Sequence, residues 1–269
     1  MDINLSEQEE RKKLEKEKIK LRILSCISIL VFLTVWQMVT AVLEIFPSYA
    51  LPSPIKVLNA FITKLYSTTP DGSILIVHII ASLKVVLSGF LLAVVIGTPV
   101  GILMAWYKPL DMWIKPVFDL LRPIPPVGWV PIMIIIFGIG MGSKIMVVFI
   151  SAFIPMLLNS YSGIKQTREV HINVAKTFGS KKHEILFQVA IPTAAPMIFT
   201  GLKVALGVAW MTLVAAELVA ATKGVGYMLQ IARTIGRSDI IVMGMFVLAG
   251  VGAVLIAILN FLERKFVRR

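Results

Sequence analysis

Glu169-Val-His-Ile-Asn-Val-Ala-Lys-Thr-Phe-Gly-Ser-Lys-Lys-His-Glu-Ile-Leu-Phe-Gln-Val-Ala-Ile-Pro192 is a short, basic, water-compatible segment set between two oily stretches. Within it Ala175, Gly179 and Pro192 stand four and then thirteen residues apart, with Val189 and Ile191 just before the proline. That spacing predicts two short helices hinged at Gly179 and ended by a proline that opens the next apolar stretch. A hinged helix pair on the surface of an otherwise oily chain is a docking surface.

The sequence around it cannot be soluble. Of 269 residues, 57% are hydrophobic and only 16% charged, and the mean hydropathy is +0.86. A water-soluble fold of this length would lack polar cover, so the class is a multi-span, all-α integral membrane protein. The net charge of +12 does not indicate nucleic acid. The basic residues gather in tails and particular loops, not on a repeated face with interleaved aromatics. Cys26 is the only cysteine, which excludes an intrachain disulfide and a multi-thiolate metal site. The N-terminal charged run is long and the apolar stretch behind it exceeds a signal h-region, so the first span is expected to stay as an anchor.

Read outward from the quoted segment, the chain divides into five parts. Residues 1–22 are dense in both signs, with acid–base pairs three or four apart, and predict a charged cytoplasmic helix or tail. Residues 23–46 form a first transmembrane anchor. Residues 47–74 are external; Leu51-Pro-Ser-Pro54 punctuates them, and Ile55, Leu58, Ala60–Ile62 and Leu65 predict an interfacial helix. Residues 75–263 are the transmembrane core, with spans near 75–106, 113–138, 144–164, 193–222 and 239–262 and a loop at 165–190. Residues 264–269 are a basic tail. Gly97 and Gly101 have the spacing that lets helix backbones approach closely in lipid. Arg122-Pro-Ile-Pro-Pro126 and Trp129-Val-Pro131 break the backbone inside the third span, which is tolerated only against protein or a water-filled cavity.

Charge bias sets the orientation. Arg11, Lys12, Lys13, Lys16, Lys18, Lys20 and Arg22 precede the first span, Lys165, Arg168, Lys176, Lys181 and Lys182 lie in the 165–190 loop, and Arg264, Lys265, Arg268 and Arg269 end the chain. The other side holds Lys56, Lys64, Lys223, Arg233 and Arg237. About six spans with both termini in the cytoplasm satisfy this pattern, and the quoted segment is then cytoplasmic.

Ionisable or strongly polar groups within spans are costly, so Arg122, Asn159, Lys203 and Glu217 are the candidates for a translocation pathway. Depth allows Glu217 to pair with Lys84 and Arg122 to bond Asn159. The same groups serve equally as ties between helices. Lys203 and Lys84 have stems long enough to snorkel or pair locally, and His78 reads as an interfacial packing residue. No carboxylate pair, metal-ligand cluster or nucleophile–base spacing is present, so no catalytic residue, metal or cofactor is expected.

With this topology in place, a series of stretches resembles the permeases of nitrate/sulfonate/taurine-type ABC importers over about residues 51–262. They are Leu51-Pro-Ser-Pro54, His78 with Ser82-Leu83, Leu121-Arg-Pro-Ile-Pro-Pro126, Phe137-Gly-Ile-Gly140, Pro155-Met-Leu-Leu-Asn159, Gly201 with Ala205-Leu206, Val214-Ala-Ala-Glu217 and Gly224-Val-Gly-Tyr227. The resemblance implies a type I ABC-importer permease-like fold in the bacterial cytoplasmic (inner) membrane. It implies a non-catalytic subunit that moves a small, anionic solute or a vitamin precursor inward by alternating access. Its implied partners are cytoplasmic ABC ATPase subunits, a second permease copy as a homodimer, an extracytoplasmic solute-binding protein and membrane lipid.

In that family the cytoplasmic loop reads Glu-Ala-Ala, three residues, Gly, nine residues, then Ile-x-Leu-Pro. Here Asn173, Val174 and Ala175 stand at the triplet, Gly179 matches, and Val189, Ile191 and Pro192 close the pattern. The glutamate is missing, while Phe178 and Leu186 are candidate apolar plugs for a groove on the ATPase. The chain itself lacks the phosphate-cradling Gly-x-x-x-x-Gly-Lys-Ser/Thr pattern. Gly140-Met-Gly-Ser-Lys144 has the wrong spacing and predicts a tight turn. The alternative, an ATPase-independent secondary transporter or channel, calls for paired, repeated broken helices, and no convincing repeat is present.

Overall fold

In a hydrocarbon core every backbone N–H and C=O must bond within its own segment, so long apolar runs become helices. The computed structural model, which describes residues 3–266, has eleven α-helices and, among the described residues, no strand. They are α1 (Ile3–Gln37), α2 (Pro54–Tyr66), α3 (Leu75–Trp106), α4 (Lys108–Leu121), α5 (Val130–Phe137), α6 (Met141–Lys165), α7 (Glu169–Thr177), α8 (Lys182–Ile185), α9 (Ile191–Ala220), α10 (Val225–Thr234) and α11 (Ser238–Phe266).

Five continuous stretches are long and apolar enough to cross a membrane: Ile19–Val42, Leu75–Trp106, Met141–Lys165, Lys182–Val219 and Ser238–Lys265. The third predicted span, near 113–138, is not one helix. Lys108–Leu121 and Pro126–Phe137 meet at 89°, because Pro123, Pro125 and Pro126 withdraw three backbone donors and clash with a continued helix. With its two halves taken as one broken crossing, the chain has six spans. The inner half packs Phe118 with Met104 and Leu157; the outer half packs Val130 and Met133 with Val147 and Ala216.

The expected boundary between a cytoplasmic tail at 1–22 and an anchor at 23–46 is not a structural break. Charged residues and apolar span form one helix, α1, which ends in a π-turn over Met38–Val42. The side chains of residues 1–16, 18 and 22, on which most of the expected salt-bridge pairing falls, and Arg268 and Arg269 lie outside the described residues. The first span is exposed along nearly its whole length and touches the rest through Trp36, whose ring stacks near Phe246 and whose indole N–H donates to the Pro52 carbonyl at 3.1 Å. The interfacial helix is α2; it buries Val57, Ala60 and Lys64 and leaves Ile55, Leu58 and Ile62 exposed.

The centre of the bundle is α3, α6 and α9. Val86, Ala93, Ala152, Met156, Ala205, Ala209 and Leu213 are sealed within it. Close approach of α3 to α6 depends on missing side chains. A Cβ on Gly89 would stand 2.7 Å from Val148, one on Gly97 3.2 Å from Phe153, and one on Gly101 2.4 Å from the Leu157 carbonyl. The pair of small residues at 97 and 101 is thus part of a longer stripe against α6.

Candidate functional site

Two features stand at opposite ends of the bundle. At the outer end, His78 and Ser82 lie four apart on one face of α3, and both are fully buried. The Ser82 hydroxyl donates to the Glu217 carboxylate, its Oγ 2.8 and 2.9 Å from the two oxygens, and accepts the Val225 N–H at 2.9 Å. Glu217, on α9 and 1% exposed, also accepts the Gly226 N–H at 2.9 Å. The Gly224 N–H donates to His78 Nδ1 at 3.1 Å, which leaves the His78 proton on Nε2, 3.2 Å from Asp71 Oδ1. Asp71 in turn pairs with Lys64, whose ammonium also donates to the Thr69 and Ser73 carbonyls.

The Gly224-Val-Gly-Tyr227 turn is what brings backbone N–H groups onto the carboxylate. Gly224 has φ +133, and a Cβ there would sit 2.3 Å from Glu217 Cδ; one on Gly226 would sit 2.7 Å from Glu217 Cβ. Only glycine offers both the backbone conformation and the space. The turn starts α10, a helix within what the sequence presented as a plain loop between the fifth and sixth spans, and α10 buries Val225, Met228 and Ala232 against α2, α3 and α11. A buried carboxylate thereby holds α10 onto the second and fifth spans.

The pairings expected from depth are not made. Glu217 bonds Ser82 and Gly226 rather than Lys84, because the glycine turn reaches it first. Asn159 donates to the Pro155 carbonyl at 2.8 Å and presses its Cβ against the site of Gly201, while Arg122 is exposed at the end of α4. The bend at the prolines carries the arginine away. Lys203 pairs with Glu263 at 2.9 Å and ties α9 to α11. The four pathway candidates are therefore not gathered in one place. His78 is fully buried, hydrogen-bonded within the outer cluster, and not an interfacial packing residue. Gly140-Met-Gly-Ser-Lys144 is a turn only to Gly140; Met141 to Lys144 are the first turn of α6.

At the other end lies the segment 169–192. Helix α7 ends where Gly179 adopts φ +79, its N–H bonding the Lys176 carbonyl at 2.9 Å and the Ser180 N–H bonding the Ala175 carbonyl at 3.1 Å. This is a C-terminal helix stop built on a left-handed glycine. Helix α8 then begins with the Glu184 carboxylate accepting the Lys181 N–H at 2.7 Å. Two short helices thus flank Gly179. Pro192 does not mark a fresh start, however. From Lys182 the helix runs unbroken to Val219, because the π-turn Leu186–Ala190 resets the ladder ahead of the proline. Thr193 Oγ1 donates to the Val189 carbonyl at 2.6 Å.

The two candidate plugs differ. Phe178 is 85% exposed, whereas Leu186 is 3% exposed and packs with Ile164, Ala190 and Ala194 beside Ile102 and Trp106. Leu186 is an anchor into the bundle, placed there by the i to i+4 register of Leu186, Ala190 and Ala194. Asn173, Val174, Phe178 and Gly179 are exposed, and Ala175, Val189 and Ile191 are half-buried.

A polytopic helical bundle with an exposed helix pair continuous with one of its spans is the architecture of an integral membrane subunit. Comparison with known proteins agrees and is more specific. Residues 97–269 match the family of binding-protein-dependent transport system inner membrane components, and the chain belongs to that family. It is 37% identical over 245 residues to the taurine transport system permease protein of Escherichia coli, covering 90% of this chain and 88% of that one. It is 32% identical over 260 residues to the bicarbonate transport system permease protein of Synechococcus elongatus, covering 94% and 92%. Among solved structures, an inward-facing methionine ABC transporter, MetNI, shares the fold with a TM-score of 0.61 at 19% identity, covering 72% of this chain and 94% of that one. The protein is a non-catalytic, multi-pass permease subunit of an ABC importer in the inner membrane.

Residues whose part in the outer cluster was not evident from sequence are Ser82, Asp71 and Lys64. The glycine turn was visible, as was the lone carboxylate of the fifth span. Their meeting with Ser82, 135 positions from Glu217, was not.

Proposed function

We propose that this permease imports a small anion by alternating access, and that α7 and α8 receive the stroke of cytoplasmic ABC ATPase subunits. The observation that carries the coupling is the unbroken helix from Lys182 to Val219. A push on α8 moves the fifth span as one body and reaches Glu217 about 50 Å away along the axis. In this reading Phe178 enters a groove of the ATPase, Gly179 sets the angle between the two helices, and Leu186 transmits force through its packed contacts. Asn173, Val174 and Ala175 complete the docking face, and Val189, Ile191 and Pro192 form the joint with the span. Lys203, through Glu263, and Glu217, through Ser82 and Gly226, act as ties that keep the moving helices registered.

The working assembly in this proposal is two copies of the permease in lipid, two ATPases and an extracytoplasmic solute-binding protein. Taurine and bicarbonate, for which two of the relatives are named, share one chemistry, a small oxyanionic group, which supports the anion reading. The test is co-purification with the ATPase subunits and reconstituted uptake of taurine and bicarbonate. Replacing Gly179 with valine is expected to abolish assembly or coupled ATP hydrolysis while the permease stays folded. Uptake that persists without any ATPase overturns the proposal.

A further inference from the structure

On the outer side, α3, the start of α6 and the loop between α9 and α10 surround a cavity of about 420 Å³. Lys84, Lys144 and Lys223 line it, together with Ala81, Gly140 and Thr222, and no carboxylate is in its wall. Lys144 is 8% exposed; among the described residues nothing accepts a hydrogen bond from its ammonium and no carboxylate lies within 4.0 Å of it. The Glu217 carboxylate spends its hydrogen bonds on Ser82 and Gly226. Lys84 and Lys223 form no ion pair among the described residues either. Three lysines thus line one half-open space, Lys144 mostly buried and Lys84 and Lys223 exposed, with Glu217 committed to Ser82 and Gly226.

The Lys144 stem is buried while its ammonium reaches the cavity, and low-dielectric walls concentrate the field of like charges in a cleft. The volume is within the range of small-ligand sites, about 300–1,000 Å³. We infer that this cavity is the outer receiving site for a small sulfonate- or carbonate-type oxyanion, with Lys144 as its fixed ligand and Lys84 and Lys223 as the arms that close over it. The inference rests on the reading of the chain as an anion importer. It assigns a place and residues that neither Arg122 nor Lys203 supplies.

The test uses the whole transporter, permease with its ATPases, in phosphatidylcholine proteoliposomes. Cys26 is replaced by serine, Ala81→Cys provides a thiol in the cavity wall, and two thiol reagents of similar size are compared. One is the anion 2-sulfonatoethyl methanethiosulfonate, the other its trimethylammonium counterpart. The anionic reagent is expected to label Cys at 81 about tenfold faster than the cationic one. Lys144→Gln brings the ratio toward unity, Lys144→Arg retains it, and excess sodium methanesulfonate slows anionic labelling. Co-purification with the ATPase reports that each variant is folded. A ratio near one in the parent, or one unmoved by Lys144→Gln, overturns the inference. So does slowing by added phosphatidylglycerol but not by methanesulfonate, which would make the cavity a lipid headgroup site. Uptake assays on the same preparations separate the two readings. Anion uptake with an uncharged labelling pattern sinks only the site, whereas charge-selective labelling without coupled anion uptake sinks the importer reading and leaves an anion site.

Discussion

Glu217 shows how a single residue can hold an outer loop in place. Its oxygens receive one hydroxyl and one backbone N–H, and both donors are buried. Glu217→Gln keeps the shape but loses the charge assistance, and is expected to cost about 1–3 kcal/mol in denaturant unfolding of the purified permease. Gly226→Ala attacks the same joint from the other side, because its Cβ would stand 2.7 Å from Glu217 Cβ and 2.8 Å from the Val214 carbonyl; overpacking of this kind costs about 1–3 kcal/mol. Unchanged midpoints for both variants would show that the clamp does not hold α10. The neighbouring pair is more sensitive still. Asp71→Asn leaves the Lys64 ammonium buried without its counter-charge, with an expected loss of about 3–5 kcal/mol. A Lys64→Met, Asp71→Leu double variant that recovers most of that loss would confirm that the uncompensated charge, not the packing, is responsible.

At the scale of elements, the helix pair and its span separate docking from anchoring. Phe178 projects from the molecule and Leu186 is sealed within it. Phe178→Ala is expected to change unfolding stability by no more than about 0.5 kcal/mol while weakening ATPase association at least about tenfold, equivalent to 1.4 kcal/mol. Leu186→Ala is expected to cost about 2–5 kcal/mol of stability, since it empties a packed site. Equal effects of the two on both measurements would refute this division. Much of this segment was legible in its residues. The glycine at 179 announced the break between two short helices because a left-handed stop favours glycine. The π-turn at Leu186–Ala190 was not legible, because nothing local distinguishes a proline that begins a helix from one absorbed into a continuing helix. The choice depends on whether Leu186 and Ala190 find a core to enter, and they do.

For the whole molecule, the bundle divides into a packed centre and a loosely attached first span. Helices α3, α6 and α9 are locked by a glycine stripe, while the window of the first span is 6% buried. Removing residues 1–46 is expected to leave a cooperative thermal transition and ATPase co-purification intact, because few buried contacts are lost. Aggregation of the truncated chain in detergent would instead make α1 part of the core. The apolar sides of α1, α2, α3 and α11 are exposed in the isolated chain, as befits a surface whose solvent is hydrocarbon.

Composition and hydropathy by themselves determined that this is a helical membrane protein with about six crossings, and the charge bias set which ends face the cytoplasm. These follow from solvent: lipid admits helices, and lysine and arginine remain where translocation does not carry them. The order of short motifs also identified the kind of permease. Only the tertiary structure decided which polar groups meet. Ser82, Glu217 and Gly226 come from three helices, Arg122 is turned aside by a proline bend, and Lys144 lines one cavity with Lys84 and Lys223. Hydrogen-bond partners depend on approach at the scale of one ångström, and that distance is set by how glycines let helices close on each other, which no local pattern records.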